Sequence, residues 1–196
     1  MKCHLLASLA LLGAAHTAAI AAEYNAVQTD KGALGFVFKQ MNVPVEGRFK
    51  RFSTQLSFDP AKPQVARVVL EIDLASIDAG SAEANDEVVG KSWLNAKQFP
   101  RARFESTAVK ALGGNRYELM GNFTLKGRTQ PLVVPVTFKP EGNVASYSGS
   151  LTIKRADYAV GEGVWAAFDT VANEIQVTFH GVASAASGST TKPASK

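Results

Sequence analysis

One cysteine and three histidines are all that the 196-residue sequence offers for thiolate chemistry, imidazole catalysis or soft-metal binding. Cys3, His4 and His16 fall in the first twenty-two residues, which leaves His180 alone in the rest of the chain. A Cys/His zinc site needs several such ligands together, and a serine triad would have to use His180. That histidine shares a face with Gln176 and Thr178, opposite Ile175, Val177 and Phe179, so it reads as an exposed strand residue. An enzyme would need a polar, pKa-shifted group inside the fold, and the inward strand positions offer Tyr117 and Tyr147 for it. No nucleophile–base pair, metal-ligand set or cofactor motif is found, so neither catalysis nor a cofactor is expected. Asn85, Asp86 and Glu87 can be read as a polar group facing a ligand or as a solvated helix face.

The residues in best supply are aromatic. All 11 Phe, 4 Tyr and 2 Trp lie between residues 23 and 183. A chain of that length buries a sizeable single core. The formal charge of +4 includes Lys2, Lys192 and Lys196, and without those three the basic excess is 18 against 17 acidic residues. A nucleic-acid binder shows a concentrated basic face, which this composition does not supply, so no nucleic acid is expected as a partner.

The two ends differ from the middle. Met1 to His4 is a short basic start, Leu5 to Ala15 is apolar, and Ala19-Ile20-Ala21-Ala22 supplies small residues for a peptidase. This is the layout of a cleaved signal peptide over residues 1–22, cut after Ala21 or Ala22, and it predicts export. From Ser184 to Lys196 no large apolar side chain occurs, and a disordered tail is expected. Residues 23–183 are left as one domain.

Alternation with a period of two dominates that domain. Leu34, Phe36 and Phe38 share a face, as do Phe52, Leu56 and Phe58, and Val68, Leu70 and Ile72. The same period recurs at Tyr117-Leu119-Gly121-Phe123-Leu125, Leu132-Val134-Val136-Phe138, Tyr147-Gly149-Leu151-Ile153 and Ile175-Val177-Phe179. One apolar face on a pleated strand is the antiparallel, half-buried signal. Asp59-Pro60, Gly113-Gly114-Asn115, Lys126-Gly127-Arg128 and Glu141-Gly142-Asn143 lie between these runs, as hairpin turns should. One stretch, Ser81 to Asn95, lacks alternation and carries helix formers behind a capping Ser81. The predicted fold is all-β: an extended, eight-stranded antiparallel barrel with one short helical insert. Such a barrel is either filled by its own side chains or open enough for one small ligand. Gly121 and Gly149, set between large inward residues, point to free space inside, while periodicity alone leaves the filled core equally open.

Several blocks together resemble a known family. They are Gly47-Arg-Phe with Phe58-Asp59, Ser76-Ile-Asp78, Trp93-Leu-Asn95 with Phe99-Pro100 and Phe104-Glu-Ser106, Gly121 to Pro131, and Arg155 to Trp165. In this order and spacing the chain resembles the YceI-like proteins, lipocalin-like barrels of the bacterial periplasm. The resemblance implies a long apolar tunnel holding an isoprenoid lipid, such as a quinone or a polyprenyl phosphate, without catalysis. It also implies a periplasmic location and work beside membrane b-type cytochromes; a homodimer is a further expectation. Two departures bear on the headgroup. Where many members place an Arg-Asp pair and a His in the insert, this chain has Ala84-Asn85 and Glu87, and where many have His-Ser it reads Lys31 to Gly35. Losing those polar groups favours a less charged head, such as a quinone.

On this reading the candidate ligand-binding residues are Phe36, Phe38, Phe52, Trp93, Phe104, Tyr117, Gly121, Phe123, Tyr147 and Trp165. The tryptophans stand outside the strict strand pattern, Trp93 in the helical insert and Trp165 in a Gly-rich loop, where each could close a barrel end or flank an entrance. Arg101 and Arg103 would lay their stems along apolar surface with the charge in water. An enzyme acting on a lipid or quinone, and a filled barrel that binds a protein partner, are the alternatives in function.

Overall fold

A computed structural model describes residues 23–185. The expected signal peptide and most of the expected tail lie outside these residues. Ten strands are described: β1 (Tyr24–Gln40), β2 (Val43–Phe49), β3 (Phe52–Ser57), β4 (Arg67–Asp73), β5 (Ile77–Asp78), β6 (Arg101–Gly113), β7 (Arg116–Leu125), β8 (Arg128–Glu141), β9 (Val144–Lys154) and β10 (Glu174–Ala185). They form one antiparallel sheet in the order β3-β4-β6-β7-β8-β9-β10-β1-β2-β5. The sheet curls until the start of β1 meets the end of β3, where the Tyr24 and Phe58 backbones exchange hydrogen bonds of 2.8 and 3.0 Å. The expected all-β, antiparallel barrel-like fold with one helix is what the chain adopts.

Three of the expected hairpin turns close β6–β7, β7–β8 and β8–β9, with positive φ at Gly114 and Asn115, Lys126 and Gly127, and Gly142. The strand count is ten rather than eight, for two local reasons. The β1–β2 hairpin turns on Met41 and Asn42, both at positive φ (49° and 64°), and Met is not a turn-forming residue by type. The second addition, β5, is only two residues long, too short to show an alternation. The last strand also runs two residues beyond the expected domain end, pairing Ser184 with Val144.

The outer face of β4 and β6 carries a ladder of ion pairs. Glu71 accepts from Arg101 at 2.9 Å and Arg103 at 2.7 Å, and Glu105 accepts from Arg67 and Arg103. The Arg101 and Arg103 charges are therefore paired on the surface rather than simply solvated. Exposed pairs of this kind add little stability each, but they keep the outer face charged beside edge strand β3.

Helix α1 covers Ala82–Val89. The Ser81 hydroxyl accepts from Ala84 N–H at 3.2 Å, as the capping reading requires. The helix stops at Gly90, so Trp93 lies beyond it in a run of turns, not on the helix as expected. Both α1 and the crossover between β9 and β10, residues 155–173, sit at the same end of the curled sheet.

Candidate functional site

The interior of the curled sheet is not filled. Two apolar chambers, of about 160 and 260 Å³, occupy it. Leu34, Ile72, Ile153 and Val177 border both, so these four residues form the waist between the two chambers. Strands supply these residues because every second side chain points inward.

The smaller chamber lies between β3, β4, β6 to β10 and the middle of β1. Phe52, Phe104, Tyr117, Phe123 and Tyr147 line it. Its far end is closed by aromatic packing: Phe58 meets Tyr117 edge-on at 5.0 Å and Phe138 at 4.6 Å, and Tyr24 meets Phe138 at 5.1 Å. Edge-to-face pairs of this kind hold a small core together beyond their area alone. Burial pushes the Tyr117 and Tyr147 phenols above their usual range, so both stay protonated near neutral pH.

The larger chamber lies under α1 and the crossover. Phe36, Phe38, Trp93 and Trp165 border it, with Phe49, Leu74, Val88 and Ile175 among their neighbours. Its polar wall is short: Gln40, Glu87, Arg155 and the two indoles. Glu87, one of the three insert residues considered for a headgroup, accepts a 2.9 Å hydrogen bond from Trp165 Nε1–H. Asn85 instead receives the Ala79 N–H at 2.6 Å, which ties α1 to β5. His180 is exposed, as its alternation indicated.

Nine of the ten candidate residues thus border one chamber or the other, and Gly121 borders neither. The reading of Gly121 and Gly149 as free space is corrected by their neighbours. A Cβ at Gly121 would fall 2.6 Å from Phe104 Cζ and meet the Glu105 carbonyl, and one at Gly149 would meet the Phe179 ring. These glycines are seats for aromatic rings, and the open volume lies elsewhere.

Arg155 is the residue whose place was not read from the sequence. It is 2% exposed. Its guanidinium donates to the carbonyls of Val160, Gly161, Trp165, Ala167, Val171 and Ala172 at 2.8 to 3.1 Å, and packs 5.4 Å from the Trp93 ring centre. Burial draws its pKa down from the usual guanidinium value. The crossover is therefore wound around one cation. Its sequence signal is Gly161, at φ 80°, where a Cβ would collide with the Arg155 guanidinium. Lys126, at the β7–β8 turn, pins the same loop through Ala159 O at 2.6 Å and Glu162 at 2.8 Å. That contact holds the Glu162 carboxyl below its ordinary range.

This geometry has close counterparts. BcnA of Burkholderia cenocepacia superposes with a TM-score of 0.78 at 44% identity, over 81% of this chain and 99% of that one. A UPF0312 protein of Pseudomonas syringae pv. tomato is 33% identical over 189 residues, which is 90% of this chain and 96% of the relative. A polyisoprenoid-binding domain from Saccharophagus degradans shares the fold at a TM-score of 0.63 and 17% identity, over 84% of this chain and 98% of that domain. Residues 25–183 match the model of the YceI-like domain, and the chain belongs to the YceI-like family.

Proposed function

We propose that the protein is an exported, periplasmic carrier that holds a long-chain isoprenoid lipid, without chemistry, along its two adjoining chambers. The observation that carries this reading is the pair of adjoining apolar chambers that share Leu34, Ile72, Ile153 and Val177 as a common boundary. A branched hydrocarbon chain fits a narrow, curved, apolar space, and a compact polar substrate does not. The Saccharophagus degradans domain, described as polyisoprenoid-binding, has the same fold. Residues 1–22, laid out as a signal peptide, support the periplasmic location.

The driving force would be burial of the chain at about 0.8 kcal/mol per CH₂. For a forty-carbon chain this nominally exceeds the practical affinity ceiling near roughly −18 to −21 kcal/mol, so chain ordering and incomplete burial offset much of it. Selection between chain lengths should be coarse. Affinity should vary little with salt, because the grip is apolar.

Native mass spectrometry of protein purified from exporting cells tests the reading directly. A bound isoprenoid mass, near one per chain, is expected. Phe123, 9% exposed and on the wall of the smaller chamber, supplies the matching variant. Phe123→Asp sets an unpaired carboxylate against the chain, at a cost of several kcal/mol unless it protonates. It should lose the lipid, while the apolar Phe123→Leu keeps it. Wild-type protein that arrives without lipid and fails to take one up would end the carrier reading.

A further inference from the structure

Two indoles stand side by side at the α1 end of the tunnel, and only one of them has a partner for its N–H. The ring centroids of Trp93 and Trp165 are 5.4 Å apart. Trp165 donates to Glu87. Trp93 is 8% exposed, and its Nε1–H is the buried side-chain polar atom among the described residues that has no partner. Native structures leave few buried donors unpaired, because each forfeits its hydration without replacement. Trp93 is also part of the wall of the larger chamber.

We propose that the Trp93 N–H is a ligand donor: it binds an acceptor oxygen on a neutral headgroup, which sets the lipid's oxygen-bearing end under α1 and its tail through the waist into the smaller chamber. The inference rests on the carrier reading above and adds to it the place and the charge class of the head.

The neutral class follows from the other polar groups on that wall. A phosphate is best held by free N–H forks or ammonium groups. Arg155 is the cation there, and Nε, Nη1 and Nη2 all donate to backbone carbonyls already. Releasing one would unpick the crossover loop. Glu87 adds a carboxylate to the same wall, which opposes a second anion. An indole N–H can donate but not accept, so it calls for a carbonyl, ether or hydroxyl oxygen. A quinone ring and a free polyprenol both present one. Hydrocarbon alone leaves the donor unpaired.

The test uses delipidated mature protein and four ligands of matched chain length: an isoprenoid quinone, a polyprenol, a polyprenyl phosphate and an isoprenoid hydrocarbon. Wild-type protein should prefer the quinone or the polyprenol to the hydrocarbon by about tenfold, the effect of one satisfied buried hydrogen bond. The better of the two identifies the oxygen as carbonyl or hydroxyl. Trp93→Phe should erase that preference while both kinds of ligand lose packing equally. Benzothienylalanine at position 93 replaces the N–H by sulfur at nearly constant shape, so it gives the same answer should Trp93→Phe melt early. A preference that survives in both variants overturns the assignment, as does a wild-type protein that binds the phosphate best. If none of the four binds, the carrier reading itself falls, and this result is distinct from binding without headgroup preference.

Discussion

The ring of Tyr147 lies over the backbone of Gly181, its direct antiparallel partner across β9 and β10. Phe179 over Gly149, on the same strand pair, and Phe36 over Gly47, on β1 and β2, repeat the arrangement. Each aromatic therefore lies along the wall instead of standing across the interior, and this is how a barrel rich in phenylalanine keeps its chambers open. Glycine in a strand weakens it locally, and the ring that covers the bare backbone offsets the loss.

This pairing makes a clean double-mutant prediction. The three atoms nearest a Cβ at Gly181 all belong to the Tyr147 side chain. Gly181→Ala should cost about 1–3 kcal/mol in urea unfolding as the ring is displaced. In a Tyr147→Leu background the same substitution should cost under about 0.5 kcal/mol, a coupling typical of contacting residues. An unchanged cost would mean that the ring is not seated on Gly181.

Arg155 should behave as the post around which the crossover is wound. Arg155→Met strands up to six carbonyls and should cost about 3–5 kcal/mol in chemical unfolding. Arg155→Lys should recover little, because an ammonium offers three donors without a planar fork. A loss below about 1 kcal/mol would show that water satisfies the carbonyls equally well.

The α1 cap carries a pH dependence with a definite sign. Glu83 is held below its ordinary value, first by its own backbone N–H and then by the Ser81 hydroxyl. A depressed carboxyl pKa contributes stability that is present above the unfolded-state value and is lost as pH falls through the folded one. Ser81→Ala should cost about 1 kcal/mol at neutral pH, the usual size of a lost N-cap. The difference between wild type and variant should narrow below the ordinary carboxylate range. Thermal melts at several pH values read this directly, and a difference that widens in acid would contradict it.

Export has a mass signature. Protein recovered from the periplasm should begin at Ala22 or Glu23, and since Cys3 is the only cysteine it should contain no thiol. Intact mass and thiol titration check both at once. One free thiol per chain would mean that residues 1–22 are retained.

Much of this fold was legible in the sequence because its determinants are local. Alternation sets which side chains face inward, since the pleat allows nothing else, and Phe36, Phe38, Phe52, Phe104, Tyr117, Phe123 and Tyr147, all on strands, border a chamber. Gly114, Gly127 and Gly142 mark hairpins because their backbone needs positive φ, and Ser81 marks a helix start because an amide there needs an acceptor. The Met41–Asn42 turn escaped notice because Asn42 alone advertises it and Met41 beside it does not.

Tertiary structure decided the rest, because what mattered depended on distant neighbours. Whether Gly121 is a void or a seat depends on the Phe104 ring, which arrives from the adjacent strand. Whether Arg155 is a surface charge or a buried post depends on six carbonyls that only the folded crossover assembles around it. Trp93 and Trp165 are equivalent as residue types, yet Glu87 satisfies one and leaves the other unpaired. A periodicity can say which way a side chain points, and it carries no information about what is waiting there.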